Sequence, residues 1–447
     1  MKLKAQIKFY LVFAAVLIAV GGNAQNEITV REAIELALER NFQIRIADKN
    51  NEIAEKNNTW SEAGAFPTLS VSLTSANGLQ DNTKNPFTFT PGMILSQSLQ
   101  PALSLDWNIF SGMGVIMSKR RLEQLEEQSK GNATVIIETT VSDIIKGYYS
   151  AVMHKERLEL LRELTAFSRE QVKYYELKEE YAGASSLELM QFKNQYLSDS
   201  TNLLMQEISY RNALRNLNLL MNLPLDSLLN PTDQLDFILP EINGIEAKRQ
   251  LVENNNNLKN QMINIRLSEI QTKYQRSFLF PTLTFQGGIQ PGFSWIREVK
   301  NDLFEAETQT LMYSANLTLR YNVFNNWKSK RAVEVSKIQE EISQLNYDEM
   351  KNSLMNSMEG LLEMFEARNR LVAVSSQNIE YAGRVWEIGQ ERLRLGTINS
   401  IELQTLRNSY INARLTHLDN LYNRVEVFFE IFRLTGNIGL YHSQVVE

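Results

Sequence analysis

From Leu103 to Phe110 the chain alternates apolar and polar residues without a break, and the alternation returns from Leu317 to Phe324 as Leu-Thr-Leu-Arg-Tyr-Asn-Val-Phe. Each copy is preceded by a Phe-Pro-Thr-Leu segment, Phe66–Leu69 and Phe280–Leu283, and both landmarks give one shift (280 − 66 = 214; 317 − 103 = 214). The chain is a tandem duplication. Period-two patterning gives a strand one apolar and one polar face. Such a strand suits either a half-buried soluble sheet or a segment of about ten residues crossing a bilayer within a barrel.

The N-terminus favours the second setting. Lys2, Lys4 and Lys8 precede an apolar run from Phe9 to Val20 and a small-x-small site, Gly22-Asn23-Ala24, which together read as a secretory signal peptide over 1–24. The run is too short to span the hydrocarbon core as a helix, and no later segment is apolar enough to do so. The net charge is −6, and losing three lysines makes it −9 (−6 − 3), which argues against nucleic-acid binding. The absence of cysteine excludes disulfides, thiolate metal sites and a lipidated N-terminal cysteine.

No proline occurs in 102–223 or 292–447, so both stretches permit very long helices. Their apolar residues fall at helical spacing, as in Ile137, Val141, Ile144, Tyr148 and Val152, and again in Leu403, Leu406, Tyr410, Leu418, Leu421, Val425 and Phe428. Each half therefore holds a long antiparallel helical hairpin, over about 112–222 and 326–436. A helix of some 65 residues is on the order of 100 Å long. Gly131, Gly147, Gly360 and Gly383 are places for bends or close packing.

The hairpin tips fall near Gly183 and Gly396, with one residue fewer between glycine and glutamate in the first copy. A glycine suits the left-handed end of a helix, and the Ser or Asn that follows suits the next N-cap. A shorter helix opens each half: one starts at the capping box Thr29-x-x-Glu32, the other covers 245–275. Paired strands are expected at about 67–77 and 98–110 and at 281–290 and 312–324, joined by polar segments 78–97 and 288–311. The halves are thus 25–222 and 245–437, with a linker at 223–244 and a tail at 438–447.

Four strands cannot close a barrel, and lipid offers no partner to open sheet edges. Several copies must share one barrel. In such a barrel Leu103, Leu105, Trp107, Ile109, Leu317, Leu319, Tyr321 and Val323 face lipid. Ser104, Asp106, Asn108, Thr318, Arg320 and Asn322 then face the lumen.

The helix at Thr29, the Phe-Pro-Thr-Leu strand starts, the junctions Asp106–Phe110 and Arg320–Phe324 and the glycine tips together resemble the TolC-like outer-membrane efflux family, over about 27–437. The resemblance implies a mainly α protein with a membrane β-barrel: a homotrimer whose twelve-stranded barrel in outer-membrane lipid continues into a periplasmic α-helical barrel. It implies a passive exit duct for efflux or type I secretion, docked on a periplasmic membrane-fusion adaptor and an inner-membrane pump, with no cofactor and no chemistry of its own. It also implies acidic residues after the second tip. Glu402 holds one such place and Glu188 is its counterpart, whereas Thr405 stands where a second acid is common. Both glutamates equally suit ordinary helix-start acids favoured by the dipole. Arg392 and Arg394 are the nearest cations to pair with them. The histidines His154, His417 and His442 sit in no metal or nucleophile motif. The competing reading is a periplasmic coiled-coil adaptor or scaffold, which the four amphipathic strands disfavour.

Overall fold

The duplication is visible element by element. The computed structural model describes residues 26–88, 92–181, 185–300 and 304–438. The leader at 1–24, Gly183 and His442, with the tail from 439, lie outside the described residues. The first repeat holds β1 (Asn26–Ile28), α1 (Val30–Arg40), α2 (Phe42–Asn57), β2 (Thr68–Asp81), β3 (Met93–Ser111), α3 (Gly114–Glu180) and α4 (Ser186–Leu220). After β4 (Leu229–Pro231) come α5 (Gly244–Asn254), α6 (Asn256–Ser277), β5 (Thr282–Glu298), β6 (Glu305–Arg320), α7 (Lys328–Arg394) and α8 (Ser400–Leu434). The long helices α3 and α7 both have 67 residues, and the return helices α4 and α8 both have 35. They run unbroken through Gly131, Gly147, Gly360 and Gly383.

Several boundaries differ from the sequence expectation, each for a local reason. Residues 245–275 are two helices, and the helix at Thr29 is followed by a second one, because Asn41 and Asn255 break both at the same place. Each asparagine caps the helix after it and donates its amide to the end of a return helix, Asn41 to the Leu220 carbonyl (2.8 Å) and Asn255 to that of Leu434 (2.9 Å). The 223–244 linker contains β4, paired in parallel with β1. The polar link 288–311 is largely strand and the link 78–97 is strand at both ends, since a ladder needs backbone partners rather than apolar side chains. In the other direction, β6 stops at Arg320, four residues before the alternating pattern ends.

The chain forms two compact units. One comprises the described parts of 1–48, 131–259 and 349–447. Its core gathers Ile144, Tyr148, Leu160, Leu217, Leu251, Met358, Phe428 and Ile431, all fully buried. The buried Tyr148 hydroxyl donates to the Ile28 carbonyl (2.8 Å) and accepts from the amides of Thr232 and Asp233, so it joins α3 to both short strands. The other unit comprises 49–130 and 260–348. Here β2, β3, β5 and β6 form one antiparallel sheet in that order, with β2 and β6 at its edges. Among the described residues no helix is long and apolar enough to cross a membrane.

Candidate functional site

Within the sheet unit, strand register decides which side chains share a face, because successive residues point to opposite sides. Leu69 pairs with Leu105, which pairs with Gly287; Val71 pairs with Leu103, which pairs with Ile289; and Trp107 pairs with Phe285, which pairs with Leu317. A bulge at Ile109 shifts the register so that Phe110 meets Leu283, which meets Leu319. One face is therefore apolar across all four strands. The opposite face carries Asp106, Asn108, Thr318 and Arg320, and polar side chains bond along it. Gln286 Nε2 donates to Asp106 Oδ1 (2.9 Å), Ser70 and Ser104 share a bond of 2.7 Å, and Gln290 donates to Gln100 (3.2 Å). Tyr321, Asn322 and Val323 belong to neither face, since β6 ends at Arg320 and the expected strand to 324 is not formed.

The two strand-to-helix junctions are built alike. Gly112 and Met113 have φ of 60° and 74°, and Asn326 and Trp327 at the matching positions have 56° and 58°. A Cβ on Gly112 would fall 2.3 Å from the Ser277 carbonyl oxygen, so only glycine fits there.

In the helical unit both hairpin tips span five residues, 181–185 and 395–399, so the first copy has lost none; its glycine stands one place further along. At the second tip Gly396 has φ 72°, its amide donates to the Leu393 carbonyl and that of Thr397 to the Arg392 carbonyl, which is a Schellman end. The glutamates close capping boxes. Glu188 accepts from the Ser185 amide (3.2 Å) and Glu402 from that of Asn399 (3.0 Å), while their own amides are capped in return. Arg394 pairs with Glu391 on its own helix, and Arg392 offers its carbonyl to Thr397. The pairing of these arginines with Glu402 is therefore not made within the chain, because Glu391 lies only three residues from Arg394 on the same helix face.

What ties the hairpins together is a pair that the sequence reading passed over. Arg407 and Asp199 are 3% and 6% exposed. Arg407 Nη2 donates to Asp199 Oδ2 (2.6 Å) and Ser168 Oγ (3.1 Å), and Gln195 donates to Asp199 Oδ1 (2.8 Å). This network links α8 to α3 and α4. The signal was available: Arg407 follows buried Leu403 by four residues and Asp199 follows buried Phe192 by seven, so both charges lie in apolar stripes. Nearby, Phe167, Tyr174 and Lys178 of α3 face Glu387 and Arg394 of α7 across a groove of about 530 Å³. Lower on the same unit, burial raises the Glu430 carboxyl, but hydrogen bonds from Arg433 and Lys146 outweigh it and hold the group at about 2. Burial keeps His154 and His417 below the usual imidazole range.

Residues 248–437 match the outer membrane efflux protein family. The match covers the second repeat. Over 384 residues the chain is 22% identical to nodulation protein T of Rhizobium leguminosarum bv. trifolii, covering 84% of this chain and 76% of that protein. Its fold is shared with a membrane protein from Pseudomonas aeruginosa (TM-score 0.74, 15% identity, 91% and 90% of the two chains). The Campylobacter jejuni CmeC outer membrane channel is similar to the same degree (0.73, 16%, 91% and 85%).

Proposed function

We propose that three copies of this chain close their sheets into one twelve-stranded outer-membrane barrel, and that their hairpins form a periplasmic conduit docked on an adaptor and an inner-membrane pump. The observation that carries this is a four-stranded antiparallel sheet with one apolar face, one polar face and two open edges. Lipid tolerates no open edge, so the edges must pair between copies. Leu103, Leu105, Trp107, Leu317 and Leu319 face lipid, with Tyr321 joining them on assembly. Asp106, Asn108, Arg320 and Asn322 face the lumen. Along β5 the apolar face runs from Leu283 to Phe293, ten residue steps or about 33 Å, which at a tilt of 35–45° gives an apolar band about 25 Å tall. Aromatic residues mark both borders, Trp107 and Phe110 at one, and Phe293 stacked on Trp295 at the other.

Solutes cross the duct without chemistry, and the pump supplies the energy. Asp106 and Arg320, equivalent by the repeat, place charge of both signs on the lumen wall, so the barrel is only mildly ion-selective. At the periplasmic end Glu188 and Glu402 each become three copies around one axis, and the groove beside the tips receives the adaptor. Outer-membrane fractionation followed by planar-bilayer recording tests the reading. A stable pore from the outer-membrane fraction is expected; a soluble periplasmic protein without conductance would refute it.

A further inference from the structure

At one end of the sheet the apolar face gives way to a surface of uncompensated cations. Ser111 pairs with Thr282 and Thr282 with Arg320, so residues 112–121, 278–281 and 321–331 all leave the sheet at that end. Large apolar side chains come first. Met113 and Trp327 are repeat equivalents (113 + 214 = 327) held at positive φ, and they are 58% and 60% exposed; Phe278, Leu279 and Phe280, just before β5, are exposed as well. A left-handed backbone is strained for a bulky side chain, so two such side chains turned outward ask for an apolar neighbour. Cations follow within two helical turns: Lys119, Arg120 and Arg121 on α3, and Lys328, Lys330 and Arg331 on α7. No carboxylate occurs in 112–121 or 321–331. Lys119 pairs with Glu123 and lies 5.9 Å from the centroid of Trp60, and Lys330 lies 5.3 Å from that of Trp327. Arg120, Arg121, Lys328 and Arg331 are exposed and, among the described residues, form no ion pair. Their own helices do not explain them, since the dipole disfavours cations at a helix start. At the opposite end of the sheet Asp81, Glu298 and Glu305 sit among the cations instead.

We infer that this end of the sheet unit is a docking surface for anionic phospholipid, whose phosphates sit against Arg120, Arg121, Lys328 and Arg331. The inference rests on the membrane barrel proposed above. A bilayer leaflet has the same order as the chain: hydrocarbon, then a headgroup layer roughly 5–7 Å deep that carries the phosphates. Arg331 stands three residues into α7 and Arg121 seven into α3, so these cations lie about 5 and 10 Å along their helices. They reach the headgroup layer and its aqueous border, while Met113, Phe280 and Trp327 sit at its apolar edge, the depth that tryptophan favours. The helices α3 and α7 follow strands two spacings apart, about 10 Å, which brings both cationic segments to neighbouring headgroups. Charge selects the lipid. A zwitterionic headgroup adds its own ammonium to an already cationic surface, whereas phosphatidylglycerol brings a negative charge alone.

The test places the mature protein, purified as its oligomer, in bilayer discs of phosphatidylethanolamine with about one-fifth phosphatidylglycerol, and identifies by native mass the lipids it retains on detergent exchange. Retained lipid should be enriched in phosphatidylglycerol about fivefold over the disc, the preference that a single well-placed cation supplies at an anionic surface. Lys328→Gln with Arg331→Gln, and Arg120→Gln with Arg121→Gln, should each lower the enrichment, and all four together should abolish it. Lys84→Gln with Lys300→Gln, the same loss of charge as either pair but at the opposite end of the sheet, should leave it unchanged. The two pairs are made separately so that one poorly folded variant does not decide the result. An intact, conducting oligomer whose retained lipid matches the disc assigns these cations to solvent or to an acidic protein and overturns the inference, as does enrichment that survives all four substitutions. Absence of any membrane-inserted oligomer overturns instead the barrel on which the inference rests.

Discussion

At the scale of single residues, the buried Arg407–Asp199 pair and the exposed tip glutamates make opposite predictions. Removing one partner of a buried ion pair strands the other without compensation, a loss of roughly 3–5 kcal/mol. Arg407→Met should therefore destabilise the helical unit strongly. Adding Asp199→Leu should recover most of that loss in a double-mutant cycle measured by thermal unfolding. If the double variant is as unstable as the single one, the network acts by more than charge pairing. Glu402→Gln behaves differently, because glutamine also closes a capping box. It should leave assembly and stability unchanged while altering resting conductance and its block by divalent cations. Unchanged conductance in Glu402→Gln and Glu188→Gln alike would make both residues ordinary helix-start acids. Glu430 adds a pH dependence. Its folded carboxyl is depressed from 4.5 to about 2, so it contributes stability above pH 4.5 that is lost as pH falls toward 2. Lys146→Met should lower the melting temperature at pH 7, and the gap from the natural protein should close near pH 2. A gap that persists in acid would mean that Lys146 acts through packing.

At the scale of elements, the sheet's apolar face gives a directional test. Arginine at Leu105 or Leu319, if near the bilayer midplane, should cost roughly 2–4 kcal/mol, read as reduced assembled protein after heating in detergent. Arginine at Ser104 or Thr318 should be tolerated, and the reverse result would invert the faces. The long helices and the repeat were legible because proline-free stretches, apolar spacing and a constant shift of 214 are properties of the chain itself. The strand faces were legible through period two. Strand ends were not, since past the apolar band a strand persists on ladder bonds that leave no compositional mark, and at 321–324 the right pattern lacks its partner. The breaks at Asn41 and Asn255 were hidden for a related reason: each asparagine answers a helix end 179 residues away. The tip arginines look like partners for Glu402 in sequence, but Arg394 has a closer carboxylate on its own helix.

At the scale of the whole molecule, an exported acidic chain without cysteine has no covalent staple, and its membrane sheet exposes a contiguous apolar face and two edges. The proposed assembly resolves both features in one event, the closure of several sheets into one barrel, in which lipid covers the face and neighbouring copies cover the edges. The account stands or falls on how many chains share the barrel. Native mass measurement of the mature protein, extracted gently from outer membranes, tests this most directly. Three times the mass of one chain is predicted, and a stable monomer that retains its strand content in detergent would contradict it.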